Sequence, residues 1–205
     1  MRLNWTIYAS ALVLLTLGVL TPAHAQQSTT RGFNLGVHLV GASLTVENDD
    51  DDPASGGGLG LRAGYGFNRK LMGYFEVDGI VFDVENPELE GEWSMAHVDL
   101  GVRYSFANSL NRWVPFLDAA IGARAVGVED ARSDGENVGE VTFTGGAFSL
   151  GGGVAFYPSQ KFAIETLLKF TGGTFDEIEV GNVSVRNLDI DASSFRFKVG
   201  VSWWP

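Results

Sequence analysis

Apolar and polar residues alternate along most of this chain with a period of two, and the pattern is most regular at the end. There Phe195, Phe197, Val199, Val201 and Trp203 fall on one face while Arg196, Lys198, Gly200 and Ser202 fall on the other, because successive strand side chains point to opposite sides. The same period predicts a strand over 32–46, with Phe33, Leu35, Val37 and Leu39 opposite Asn34, Gly36 and His38. A second ends at 67 and sets Leu59, Leu61, Ala63 and Tyr65 against Gly58, Gly60, Arg62, Gly64 and Gly66. The third, over 71–84, opposes Phe75, Val77 and Val81 to Tyr74, Glu76 and Asp78, and the fourth opposes Val98, Leu100, Val102, Tyr104 and Phe106 to His97, Asp99, Gly101, Arg103 and Ser105.

A fifth strand begins at Trp113 and sets Leu117, Ala119, Ile121 and Ala123 against Asp118, Ala120, Gly122 and Arg124. The sixth places Phe148, Leu150, Val154 and Phe156 opposite Ser149, Gly151, Gly153 and Ala155. The seventh, over 161–174, places Phe162, Ile164, Leu168 and Phe170 opposite Glu165 and Lys169, with Leu167 on the charged side; the eighth starts near 188. Short polar turns near 68–70, 107–112 and 157–160 alternate with long polar connections over 47–55, 85–92, 129–139 and 175–187. An even number of strands, short turns at one end and long loops at the other describe an all-β, eight-stranded antiparallel up-and-down transmembrane β-barrel.

In such a barrel the apolar face meets lipid and the polar face lines the interior. The charges fit that reading. Of the 25 acidic residues, the map puts Glu76, Asp78, Asp99, Asp118 and Glu165 on the inward face and the rest in the long connections and their flanks. The inward bases are Arg62, Arg103, Arg124, Lys169, Arg196 and Lys198, one more than the acids. No charge falls on the lipid face, where one at mid-membrane would cost roughly 2–4 kcal/mol. These eleven residues are predicted to form a polar network that fills the lumen, since an eight-stranded barrel is just wide enough for its own side chains and buried charges must be paired. Alternation alone also permits the inverse, an exported soluble barrel of lipocalin type with its apolar face inside.

The first 25 residues read as an address. Arg2 precedes an apolar run over 7–20, and Ala23-His24-Ala25 supplies the small-x-small pattern of a cleavage site. A signal peptide over 1–25 and one barrel domain over 26–205 are therefore expected. The 27 glycines and no cysteine exclude a disulfide, a thiol nucleophile or a cysteine-ligated metal, and place glycine where strands crowd.

Gly60-Leu61-Arg62-Ala63-Gly64-Tyr65, Trp113-Val114-Pro115-Phe116-Leu117, Gly151-Gly152-Gly153-Val154-Ala155-Phe156 and the aromatic end resemble the small outer-membrane β-barrels typified by the OmpA membrane domain and OmpX. The resemblance covers essentially the whole chain after the leader and implies residence in the bacterial outer membrane, among lipid and lipopolysaccharide. It also implies a C-terminal signal read by the barrel-assembly machinery, carried here by Phe197, Val199, Val201, Trp203 and Trp204, with Pro205 departing from the family's aromatic end.

Several chemical readings compete with a structural one. Barrel-shaped lipid A deacylases use serine and histidine on the outer surface, whereas His38 and His97 are predicted to point inward and neither is followed two residues later by serine. Glu76, Asp78, Asp99 and Asp118 are better read as partners of the lumen bases than as acid-base pairs or a metal site. Gly56-Gly57-Gly58-Leu59-Gly60 lacks the lysine and helix of a phosphate loop. The acidic loops, including Asp49 to Asp52 and the 130–136 stretch, could loosely hold divalent cations, and their sign disfavours nucleic acid. The sequence thus predicts a non-enzymatic barrel without a cofactor, acting in envelope integrity or surface contact, with a narrow porin-like channel, a lipid A enzyme and the soluble barrel as alternatives.

Overall fold

A computed structural model describes residues 30–46, 54–83, 90–133, 136–180 and 183–205. The expected leader over 1–25 and the Asp49–Asp52 run lie outside the described residues. Eight strands follow one another: β1 (Gly32–Val46), β2 (Ala54–Gly66), β3 (Leu71–Asp83), β4 (Glu90–Ser105), β5 (Trp113–Ser133), β6 (Glu136–Ser159), β7 (Phe162–Val180) and β8 (Val183–Trp203). Each pairs antiparallel with its neighbours, and β8 returns to β1 to close a barrel. Closure leaves no sheet edge within the wall, as hydrocarbon requires.

The stagger follows from the register. Leu35 faces Ala63, then Phe75, Leu100, Ile121, Phe148, Gly172 and Ser193, and Ser193 faces Thr45 on the first strand again. One circuit therefore climbs from Leu35 to Thr45, ten residues, which tilts the strands by about 40° from the barrel axis. Because the climb is even, every strand keeps its two faces in phase. Leu35, Leu61, Phe75, Leu100, Ile121, Phe148 and Phe197 stand exposed outside, while Arg62, Asp99, Arg103, Arg124, Lys169 and Arg196 are buried within. That placement excludes the inverted, soluble arrangement.

Aromatic rings gather on the outside at the short-turn end. Phe33 meets Tyr65 edge-on at 5.4 Å, Tyr104 meets Phe106 at 5.4 Å, and Trp113 lies 4.7 Å from Phe156. Such rings suit the interface between hydrocarbon and headgroups. The turns beneath them are tight: in the first, the Asn68 side-chain oxygen accepts from the backbone N–H groups of Lys70 and Leu71.

All four long connections are shorter than the sequence expectation, two of them markedly. Residues 129–139 and 175–187 were expected as loops, yet β5 runs to Ser133, β6 begins at Glu136, β7 runs to Val180 and β8 begins at Val183. Beyond the lipid the outer face of a hairpin meets water, so period-two hydrophobicity lapses, while β-branched residues such as Val180 and Val185 still favour pairing and Val128 and Val141 are buried together against Phe143 and Ile178. In the second hairpin Glu177 accepts hydrogen bonds from the Ser184 hydroxyl and the Arg186 guanidinium, which hold its carboxyl below the usual range. The other two connections also shorten, since β2 begins at Ala54 and β4 at Glu90.

Ile121, 63% exposed in the middle of β5, should not tolerate charge. Ile121→Arg is expected to lower the unfolding free energy by about 2–4 kcal/mol, measured by denaturant titration in lipid vesicles.

Candidate functional site: the barrel interior

The interior is layered along the axis. Nearest the short turns, Met72, Tyr74, Ala120 and Trp204 pack together, beside Val114, Phe116, Ala155, Tyr157 and Leu167. Trp204 is buried there, with its backbone N–H donating to the Lys161 carbonyl. Of the five residues read as an assembly signal, Phe197, Val199, Val201 and Trp203 thus face outward and Trp204 faces in, because the strand ends at Trp203 and the chain turns.

Above this floor sits a four-residue ionic group. Arg103 grips Asp118 with two parallel bonds, Nε to Oδ1 at 2.8 Å and Nη2 to Oδ2 at 2.9 Å. Its Nη1 donates to Glu165 Oε2 at 2.7 Å, an oxygen that also accepts from Arg62 Nη2 at 2.8 Å. The Ser202 hydroxyl supplies the other Glu165 oxygen at 2.7 Å. A shared carboxylate between two guanidinium groups suits arginine's planar fork, and Arg103 lies 3.7 Å above the Phe116 ring.

The next group joins six strands, β1, β3, β4, β6, β7 and β8. Lys169 Nζ donates to Glu76 Oε1 at 2.8 Å and Asp99 Oδ2 at 3.1 Å, and Lys198 Nζ bridges Glu76 and Asp78. Arg196 reaches Asp78 through Nη1 and Asp99, Ser149 and Thr171 through Nη2. His38 Nε2 lies 2.8 Å from Asp78 Oδ1, and His97 Nε2 lies 3.1 Å from Asp99 Oδ1. Long side chains fit because glycines stand opposite them: a Cβ at Gly60 would collide with both Asp78 and His38.

All eleven residues of the expected network therefore lie inside the barrel, and ten of them, all but Arg124, join the two ionic groups. Arg124 stands apart, its Nη2 donating to the carbonyls of Ala192 and Gly173. Above it lies an apolar layer that the sequence reading missed, formed by Val40, Ala42, Leu44, Ile80, Phe82, Met95, Val126 and Phe175. A signal was present: in the upper halves of β1 and β3 both faces are apolar, as in Leu39-Val40 and Ile80-Val81-Phe82.

The chemistry open to this interior is narrow. His38, Glu76 and Asp78 bring possible ligand atoms within 4.8 Å of one another, but Lys198 already lies between the two carboxylates as their cation. His38 and His97 each face a carboxylate, and Ser149 bonds Thr171 and Arg196. One small cavity of about 20 Å³, lined by His38, Arg62, Glu76, Glu165 and Lys198, has room for a single water.

A closed eight-stranded barrel, apolar outside and ionic within, is the architecture of a small outer-membrane protein. The chain belongs to the outer membrane protein beta-barrel domain family, whose sequence model matches residues 11–202, and it resides in the bacterial outer membrane. Neisserial surface protein A has a similar structure, with TM-score 0.63 and 14% identity over 85% of this chain and 97% of that one. Ail, the attachment invasion locus protein of Yersinia pestis, aligns with TM-score 0.53 and 13% identity over 84% and 99%. OprG of Pseudomonas aeruginosa aligns with TM-score 0.51 and 11% identity over 84% and 95%. No curated protein sequence matches this one.

Breaking one partner of a buried pair should cost far more than removing both. Asp118→Asn, which leaves Arg103 and Arg62 to share the single carboxylate of Glu165, is expected to destabilise by about 3–5 kcal/mol, whereas Arg103→Met with Asp118→Leu recovers most of that loss; urea unfolding of the single and double variants provides the comparison.

Proposed function

We propose that this protein is a non-enzymatic barrel with a closed interior, which gives it rigidity and displays two long, acidic hairpins to partners outside the cell. The observation that carries this reading is the filling of the lumen. Two ionic groups and two apolar layers occupy the described cross-sections, with side chains from every strand. A path for solutes would require several buried pairs to part at once, each leaving charges unpaired.

The hairpins support the second half. β5, β6, β7 and β8 span 21, 24, 19 and 21 residues, against 15, 13 and 13 for β1, β2 and β3. They rise beyond the rest of the wall as a projecting sheet. Along β8, pairing with β1 stops at Val46 opposite Ala192, so among the described residues Val183 to Asp191 has no neighbour on that side. Such an unpaired edge can accept an extended peptide from a partner.

Charge narrows the partner. Glu129, Asp130, Glu136, Glu140, Asp176, Glu177, Glu179, Asp189 and Asp191 outnumber Arg132 and Arg186 on these hairpins. A structure of Ail contains the heparin analogue sucrose octasulfate. The sign of the charge here opposes a polyanion and favours a basic protein surface, or lipopolysaccharide phosphates bridged by divalent cations.

Planar-bilayer recording tests the closed interior: no discrete conductance steps are expected, and reproducible single-channel steps from the intact protein would sink this reading in favour of a narrow channel. Replacing His38 and His97 should leave lipid A unchanged by mass spectrometry, since neither histidine faces a hydroxyl. Immobilised heparin should fail to retain the protein at about 0.15 M salt, where the Debye length is still about 8 Å.

A further inference from the structure

Among the described residues six bases share the barrel interior with five carboxylates, and pairing identifies the surplus. Arg62 and Arg103 are matched by Asp118 and Glu165. Lys169, Arg196 and Lys198 are matched by Glu76, Asp78 and Asp99. Arg124 remains. It is 0% exposed, and among the described residues no carboxylate reaches it. Its Nη2 rests on two backbone carbonyls and its Cζ lies 4.5 Å from the Phe175 ring centroid. Its Nε and Nη1 meet no partner.

Arginine does not escape this position by losing its proton. A buried, uncompensated cation is among the costliest arrangements a protein can hold. The orphaned atoms also cluster. Arg124 Nη2 touches the carbonyl of Ala192, and the next two inward positions along β8 carry a Ser194 hydroxyl and an Arg196 Nε–H that are likewise buried without partners. Four unused donor groups thus lie on Arg124 and on the neighbouring inward positions of β8, beneath the apolar layer of Met95, Val126 and Phe175.

We propose that these donors hold a small monovalent anion, a halide such as chloride, as the buried counter-ion of Arg124. One surplus positive charge sets the valence. Enclosure sets the size, since Arg124 and Ser194 are buried and the apolar layer shields the donors from the long-hairpin mouth. A lipid phosphate or a peptide carboxylate would have to bring its attached chain through that layer. Bound in this way, the anion completes the neutralisation of the lumen and acts as an internal strut between β5 and β8.

Two measurements on the mature protein, purified in detergent, test the proposal. Thermal unfolding compares sodium chloride with sodium gluconate at equal ionic strength. Chloride at ten times its Kd is expected to raise the Tm of the wild type by about 3 °C and to leave that of Arg124→Met unmoved. Crystals soaked in sodium bromide should show anomalous density within hydrogen-bond reach of the Arg124 guanidinium. The bromide measurement uses the wild type and stands even where Arg124→Met fails to fold. Absence of bromide at Arg124 overturns the proposal, as does a chloride effect that persists in Arg124→Met; a water molecule in the place of the anion would appear as the first of these outcomes.

Discussion

A barrel of eight strands encloses only enough space for its own side chains, and hydrocarbon outside will not accept a charge. These two constraints act together on every residue of the wall. Charge that the protein carries at membrane depth must go inside, and inside there is no bulk water to screen it, so each charge needs a fixed partner. The Arg103–Asp118 clasp, the Glu165 shared by two arginines and the lattice of Lys169, Arg196 and Lys198 around three carboxylates are the solution this sequence uses. Glycines such as Gly60 follow from the same limit, because room for a long charged side chain on one strand comes from a missing side chain on the next.

Much of this was legible in the sequence. Period two fixes which face each residue takes, so the inward position of all eleven charged residues could be read without any knowledge of contacts. The pairing partners could not. Arg196 on β8 meets Asp78 on β3 and Asp99 on β4 across the lumen, and such contacts depend on the ten-residue climb of the register, which local alternation does not encode. Outside the membrane the signal failed for a different reason. Lipid no longer demands one apolar face, so strand residues such as Thr142, Glu177 and Arg186 look like loop residues even though they pair in long hairpins.

The inner apolar layer around Ile80, Phe82 and Met95 shows a third limit. The expectation of a uniformly polar lumen came from the membrane-barrel rule, whereas the structure divides the lumen into apolar, ionic and again apolar zones. Burial on both faces makes the upper halves of β1 and β3 continuous hydrophobic runs, which period-two reading treats as noise. An ionic middle between two apolar ends sets the pairs in a low-dielectric surrounding that strengthens them, and also isolates Arg124, the interior arginine without an acid among the described residues.

The circuit of hydrogen bonds closes between Leu35 and Trp203, residues from opposite ends of the folded sequence. Bringing them together carries the largest loop-closure entropy of any strand pair in the molecule, while all the other pairs are hairpins between neighbours. Until β8 docks on β1, the growing sheet has two open borders that hydrocarbon cannot satisfy. Lys198 and Arg196 arrive on the same strand that seals the wall, so the acids of β3 and β4 stay without these two partners until closure. Assembly is therefore cooperative at its final step: the sheet's last seam and the neutralisation of its contents are one event, and an unsealed intermediate has both an open border and a charged core.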